Sequence, residues 1–451
     1  MSITIPGKAN YIINTLEQAG FEAYVVGGCV RDSILGRKPQ DWDITTSALP
    51  NQVKALFPRT IDTGIQHGTV TVMLNREGFE VTTYRIDGTY EDSRHPKEVL
   101  FTPCLEEDLK RRDFTINAMA YNGRVGLVDI FGGMEDMENQ VIRCVGQARE
   151  RFQEDALRIM RAVRFSAQLG YEIEEGTKEA IRELAPRLKN ISAERIQMEL
   201  TKLMMSGHPE YLKIAWETGI TGVILPEFDR MMETPQNHPH HQYNVGEHTL
   251  AALSEVMPVK SLRLAMLLHD IGKPDTKETD DEGRDHFHGH AAVGEELAGA
   301  VLRRLKYDND TIYRVCRLVR YHDYGNDMEP DKRIVRRTMN KIGEEFFPDI
   351  FYIKRADILA QSDFMRREKL DRLAKWQQIY EEIAARKQCV SLKNLAVTGK
   401  DLIALGMKPG KEIGSMLQEL LEIVLDNPQY NTKEYLLKEA ERLGNCEAVR
   451  E

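Results

Sequence analysis

The sequence predicts an α+β protein, with a mixed α/β head and a small antiparallel-type sheet over residues 1–140, followed by helices alone. Segments with the β-branched and aromatic content of strands are confined to the first 140 residues. From residue 147 onward apolar residues recur at three- and four-residue spacing, which gathers them on one face of a helix. The length of 451 residues, 41 % apolar and 29 % charged, suits about three domains of ordinary globular composition. That balance excludes a collagen, a disordered tail protein and a small disulfide scaffold.

The elements follow in order. FEAYVVGG (21–28) reads as a strand entered from a helix and ending in a glycine turn. QDWDITTS (40–47), HGTVTVML (67–74) and FEVTTYRI (79–86) read as strands. DGTYEDSRHPKEVLFT (87–102) is polar and carries Gly and Pro, so a flexible loop is expected. EDALRIMRAVRFSAQL (154–169), ISAERIQMELTKLMM (191–205) and HTLAALSEVM (248–257) have helical periodicity. Pro and His crowd METPQNHPHHQY (232–243), a linker between helical modules, and residues 275–290 form a polar loop. These signals divide the chain into a head (1–140), a helical neck (141–230), a helical body (244–360) and a helical tail (361–451).

The formal charge of −10, from 61 basic and 71 acidic residues, argues against a surface coated for indiscriminate nucleic-acid binding. Local basic patches remain: 303–337 holds ten Arg/Lys against six Asp/Glu, and 354–375 carries Lys354, Arg355, Arg366, Arg367, Lys369, Arg372 and Lys375. Six cysteines lie far apart with no CxxC pair, which fits reduced thiols in the cytoplasm. No run of about 18 apolar residues is present, and no basic segment followed by an apolar block opens the chain. Neither a membrane span nor a secretory signal is expected.

Two constellations carry chemistry. In the first, Gly27-Gly28 lets backbone approach a ligand closely, and a helix starting near Cys29 aims N–H groups at an anion. Arg31 adds a fork-shaped donor for phosphate. Asp41 and Asp43, two apart on a strand, share one face, with Trp42 directed into the core. Paired carboxylates suit one or two Mg²⁺ ions. In the second, His248, His269, Asp270 and Asp357 supply imidazole and carboxylate ligands for a divalent transition metal. His290 and His322 could hold a second ion.

The first constellation resembles the nucleotidyltransferase superfamily of DNA polymerase β, and more narrowly the class II tRNA nucleotidyltransferases and bacterial poly(A) polymerases. DLKRRDFTINAMAYN (108–122), DIFGGMEDM (129–137), EDALRIMRAVRF (154–165) and SAERIQMEL (192–200) resemble that group's successive motifs. LGMKPGKEIGSMLQELL (405–421) is similar to the tail of firmicute-type CCA-adding enzymes. The resemblance implies a catalytic head holding Mg²⁺ on Asp41 and Asp43, with Glu80 as candidate third carboxylate. It implies nucleotide binding by Gly28, Arg31, Arg112, Asp155, Arg158, Arg161 and Arg164, with Asp113 bracing Arg112. The neck would select nucleotides and bind RNA, and the tail would bind tRNA. The substrates implied are tRNA, CTP and ATP.

On a helix, Asp155 and Arg158 share a face. A carboxylate accepts from an exocyclic amine, and a guanidinium donates to ring acceptors. Cytosine and adenine fit such a pair; uracil and guanine set a carbonyl against the carboxylate. C and A can thus be chosen without a nucleic-acid template. The loop at 87–102 is shortened in relatives that add only CC, so its full length here disfavours CC addition. The acidic charge and the tail disfavour poly(A) synthesis. CCA addition is favoured, with A-addition or poly(A) synthesis as the alternatives. His248, His269, Asp270 and Asp357 match the H…HD…D order of HD-type phosphohydrolases, which implies hydrolysis of phosphomonoesters or cyclic phosphodiesters.

Overall fold

The computed structural model describes residues 2–88 and 99–447, arranged as two compact units, Met1–Asp229 and Arg230–Glu451. In the head of the first unit the strands are β1 (Ala23–Val26), β2 (Ile44–Thr46), β3 (Thr60–Gly64), β4 (Thr69–Leu74), β5 (Glu77–Thr83), β6 (Arg85–Asp87), β7 (Val99–Phe101), β8 (Met119–Asn122) and β9 (Gly126–Asp129). The neck, expected to be helical alone, adds a short parallel pair, Val141–Ile142 with Glu172–Ile173. Seven of the head strands form one sheet in the order β3-β4-β5-β2-β1-β8-β9. The small antiparallel sheet expected from sequence is therefore larger and mixed. β2 and β5 run parallel, Ile44 opposite Val81, while the other neighbours are antiparallel.

β1 is buried along its whole length, and both its neighbours are antiparallel. Tyr24, Val26, Tyr84, Leu109 and Ala120 form a core cluster against Leu105, Val128 and Phe131. In β4 Val70 and Val72 are buried between half-buried neighbours, and in β5 Phe79, Val81 and Thr83 are buried with more accessible residues between them, as strands with one more open face should be. β6 and β7 pair as a separate ribbon. The loop expected over 87–102 falls largely on residues 89–98, which lie outside the described residues.

Two local expectations need correction. β2 begins only at Ile44, so Asp41, Trp42 and Asp43 precede the strand, although the Asp43 carbonyl still accepts the Val26 N–H at 3.0 Å. Strict in/out alternation does not apply there, and Trp42 is half-buried instead of sitting in the core. The continuous helix expected over 154–169 is broken. One helix spans Ala148–Glu154 and the next Leu157–Leu169, with Asp155 extended between them (φ −138°, ψ 104°). Its carboxylate accepts the Leu157 N–H at 3.0 Å, the competition with the helix ladder that favours Asp at helix ends.

Among its described residues the second unit is helical except for a small ribbon, Glu278–Thr279 with Asp285–His286, within the segment expected to be a loop. Helices Val245–Glu255, Lys260–Leu268, His290–Arg304, Asn309–Tyr321 and Phe347–Ala360 form its body. Asn244, Asp308 and Asp331 cap their helices by accepting an N–H three residues on. No helix among the described residues is long and apolar enough to cross a membrane.

Candidate functional site

In the first unit the site grows from the β1 turn. Gly27 has φ +79°, left-handed backbone that favours glycine. It caps the helix Gly28–Ile34. A Cβ at Gly27 would stand 3.0 Å from Nη1 of Arg112 and 3.6 Å from the Asn117 carbonyl, so the turn and that guanidinium are in close contact.

The parallel pairing of β2 with β5 carries the carboxylates together. Ile44 faces Val81, so one residue earlier Asp43 comes level with Glu80 on β5. Burial, Glu80 and Asp41 push the Asp43 carboxyl above its ordinary range, while Arg112 pulls it down. The structure thus brings Asp43, Glu80 and Asp41 into one electrostatic group. Asp41, Asp43 and Glu80 all keep accessible surface, and Asp43 is the one whose carboxyl the surrounding protein crowds.

Arg112 lies beside Asp108, with Nη2 3.5 Å from Oδ2. Burial lowers its pKa against the pull of Asp108 and Asp43. Asp113 braces a different arginine from the one expected. Its Oδ2 accepts from Arg161 Nε at 2.7 Å, and its Oδ1 accepts from Asn117 Nδ2 at 3.2 Å. Burial alone would raise the Asp113 pKa, but Arg161, Arg158 and these hydrogen bonds hold it down at about 2.

Asp155 and Arg158 are neighbours in space but not a matched pair on one helix face. Asp155 Oδ2 accepts from Arg195 Nη2 at 2.8 Å. Arg158 donates to Glu154 Oε2 at 2.6 Å and to the Arg111 carbonyl at 3.0 Å. Sequence reasoning placed SAERIQMEL in the neck but missed Arg195 and Glu154. Glu154 was visible as the Arg158 i−4 partner; Arg195 had no local signal, because its partner lies 40 residues away.

Arg31, Arg161 and Arg164 surround Phe165, with guanidinium carbons 5.0, 5.3 and 3.8 Å from its ring centre. Arg31 is buried, donating to Asn117 Oδ1 at 2.6 Å and to Asp32 Oδ1 at 2.7 Å. Arg164 forms a buried ion pair with Glu199 at 2.6 Å, and burial draws its pKa down to about 10. Removing one partner leaves an uncompensated buried charge. Glu199→Ala is expected to destabilise the first unit by about 3–5 kcal/mol, read as a drop in its denaturant midpoint.

The second unit assembles the other constellation from four helices and a turn. His248 Nε2 lies 2.9 Å from Asp357 Oδ1, and His269 Nε2 lies 3.2 Å from Asp270 Oδ2. The other Asp270 oxygen is 3.6 Å from Nε2 of both His290 and His322. Two groups with metal-ligating geometry result, His248–His269–Asp270 and Asp270–His290–His322. They share Asp270. His269, His290 and His322 each place Nδ1 2.8 Å from a backbone carbonyl, of Met266, Phe287 and Val319. That bond fixes the ring and leaves Nε2 facing the cluster. Lys273 Nζ stands 2.7 Å from Asp270 Oδ2. Despite burial, His269 and Lys273 hold Asp270 well below the usual carboxylate range. Burial opposes protonation of His322, but Asp270 and Asp323 raise it to about 9.

Three family models match the chain: the poly A polymerase head domain over 23–143, the RNA and SrmB-binding site of polymerase A over 170–232, and tRNA nucleotidyltransferase domain 2 over 287–440. A CCA-adding enzyme of Lactobacillus helveticus is 37 % identical over 437 residues, 97 % of each chain. One of Enterococcus faecalis is 34 % identical, again over 97 % of each. Among solved structures, the Bacillus stearothermophilus CCA-adding enzyme in complex with CTP superposes with a TM-score of 0.73 at 30 % identity, covering 99 % of this chain and 100 % of that one. The Thermotoga maritima CCA-adding enzyme complexed with tRNA shares the fold, with a TM-score of 0.59 at 21 % identity over 98 % of this chain and 99 % of that one.

Proposed function

The chain belongs to the family of CCA-adding enzymes, and from that premise we propose that it adds C, C and A to the 3′ end of tRNA from CTP and ATP without a nucleic-acid template. The observation that carries the catalytic assignment is the level placement of Asp43 and Glu80 across the parallel β2–β5 pair, with Asp41 beside them. The donors are all carboxylate oxygens, and burial together with the neighbouring Glu80 and Asp41 raises the Asp43 pKa, a cost that a divalent cation relieves. Asp41, Asp43 and Glu80 would therefore hold Mg²⁺. When bound, Mg²⁺ favours ionisation of the terminal 3′-hydroxyl and neutralises charge on the triphosphate and the leaving pyrophosphate.

The remaining work belongs to side chains. Arg112, seated against the Gly27 turn, supplies donors for the triphosphate beside Gly28. Gly27→Ala strains left-handed backbone and pushes on Arg112; the expected result is at least a tenfold (~1.4 kcal/mol) loss of kcat/KM for CTP and ATP. Asp155 and Arg158, held by Arg195 and Glu154 until a nucleotide arrives, exchange those bonds for the base edge. Cytosine and adenine offer an amine to Asp155 and ring acceptors to Arg158; uracil and guanine leave Asp155 facing a carbonyl. Arg31, Arg161 and Arg164 are already engaged with Asn117 and Asp32, Asp113 and Glu199, so their part is to hold the wall around Phe165 in place.

In this reading the head spans 1–140, the selecting neck 141–230, the HD body 244–360 and the tRNA-binding tail 361–451. Basic helix faces track tRNA phosphates, and recognition is by backbone and shape. The composition suits the cytoplasm. The test offers tRNAs ending before CCA, after C and after CC, with single nucleotides and with CTP plus ATP. Full CCA on the shortest tRNA is expected. Extension of the CC-ended tRNA alone, by ATP, would make the chain an A-adding enzyme.

The second unit is read as a metal-dependent phosphohydrolase. Its support is the pair of ligand triads sharing Asp270, with Nε2 of His269, His290 and His322 pre-oriented by backbone carbonyls. His248, His269, Asp270 and Asp357 would hold one divalent transition metal, and Asp270, His290 and His322 a second.

A further inference from the structure

Resting on the reading of the His/Asp cluster as a metal centre, and on nothing about its reaction, we propose that His286, His238 and His241 form an entry route. They pass a divalent transition-metal ion from the surface to that centre by successive imidazole ligation. His248, His269 and Asp270 are at most 1 % exposed, so an ion bound there has to cross protein to arrive. Leaving water is costly for a dication unless ligands along the way replace its hydration.

The rings line up for this. From the ribbon inward, the His286 and His238 ring centres are 6.3 Å apart, His238 and His241 again 6.3 Å, and His241 and His248 5.7 Å. His248 and His269, inside the cluster, are 5.4 Å apart. Two imidazoles sharing one ion through nitrogens at about 2.1 Å have centres up to roughly 6.5 Å apart. Each step is therefore short enough for both rings to hold the ion during the transfer. His240 stacks 5.0 Å from His238 and offers a further nitrogen at that step. A cavity of about 380 Å³ has His286, His238 and His241 in its walls together with Asp270 and His290, so open space joins the outer rings to the cluster. Lys273, the cation on that wall, is neutralised by Asp270 at 2.7 Å.

Rings that hold and rings that pass differ in their tethers. His269, His290 and His322 have Nδ1 fixed on backbone carbonyls. Nδ1 of His240 and of His241 is buried and pairs with no group among the described residues. A ring without that bond is free to turn from one neighbour to the next. At the entrance, His286 Nε2 lies 2.8 Å from Asp280 Oδ2, and a cation displacing the shared hydrogen takes a nitrogen and an oxygen at once. Exposed Glu278, Asp281 and Glu282 on the same ribbon concentrate cations there. The ribbon is fastened to the His238 segment: the Asn237 N–H donates to Asp285 Oδ2 at 2.8 Å, and the Asp285 N–H to the Asn237 carbonyl at 3.0 Å. The route offers one or two ligands at a time and the cluster three, so the ion runs inward to the tighter site.

The test strips the full-length protein of metal with a chelator and mixes it with Co²⁺, whose visible absorbance reads its arrival among imidazoles. In His238→Ala with His241→Ala, uptake should be about tenfold slower, a barrier higher by ~1.4 kcal/mol. Release to a competing chelator should slow by the same factor, and the final Co²⁺ content should equal the parent's, because a route alters both directions alike. Equal content also shows that the fold and the cluster survive. Alanine widens the cavity, so a passive channel would fill faster; uptake that is faster or unchanged overturns the proposal. Weaker final binding with faster release also overturns it, since the two histidines would then hold the ion in place. So does a further equivalent of Co²⁺ that the parent keeps at equilibrium and His286→Ala loses, which is a separate surface site. A parent that takes up no Co²⁺ at all overturns the metal-centre reading, and the route with it.

Discussion

Asp43→Asn should lose nucleotide transfer by about a thousandfold or more, because the loss of a metal-holding carboxylate removes several kcal/mol of transition-state stabilisation. The fold should not suffer. In the folded chain burial and Glu80 raise the Asp43 pKa, so the native state holds its proton more tightly than the unfolded state does. Stability from this group is therefore present at low pH and lost as pH rises through the unfolded and then the folded value. An uncharged amide removes that cost. At neutral pH the thermal midpoint of Asp43→Asn should equal or exceed that of the parent, while tRNA extension collapses. A variant that extends tRNA within tenfold of the parent sinks the assignment of Asp43, and a lowered midpoint sinks the argument from charge crowding. Asp41, open to solvent, should show the loss of transfer without the gain in stability.

How much could be read beforehand is clear from these residues. Asp41 and Asp43 stand out because two carboxylates at i, i+2 form a local pattern. Glu80 became more than a candidate strand residue only through the β2–β5 register, a pairing across 37 residues with no local signature. Trp42 shows the converse error. Alternation predicts a core position if the strand already runs through it, but β2 starts at Ile44. Helical periodicity runs unbroken through 154–169, yet Asp155 interrupts it by taking the Leu157 N–H and meeting Arg195 from the neck. Periodicity reports which residues are apolar; it is blind to a carboxylate that competes for backbone. The family resemblance puts Asp113 on Arg112, whereas the fold hands it Arg161 from a helix 48 residues on. In the second unit the order of His and Asp was legible. The sharing of Asp270 between two triads was not, since it depends on the turn after helix Lys260–Leu268 meeting three other helices.

The double variant His269→Ala with Asp270→Ala should abolish metal-dependent phosphoester hydrolysis and leave CCA addition within a few-fold. The two candidate centres belong to different compact units, and their donors differ in kind: carboxylate oxygens for hard Mg²⁺ in one, imidazoles with bridging carboxylate for a softer ion in the other. Asp270 sits between both triads, so its removal should empty both metal positions, and metal analysis of the purified variant reads this directly. The same change strips the counter-charge from Lys273, 2.7 Å away, and from His322, which Asp270 and Asp323 hold near pKa 9 against burial. Unpaired buried cations cost about 3–5 kcal/mol, so the second unit should melt earlier. Asp270→Asn, which keeps the shape but not the charge, separates lost ligation from lost packing: it should empty the metal sites as the double variant does. A folded Asp270→Asn protein that adds CCA normally and hydrolyses nothing makes the two chemistries independent. One that binds no metal and also fails to add CCA makes the cluster a structural requirement of the transferase, and the separation of the two sites is then wrong.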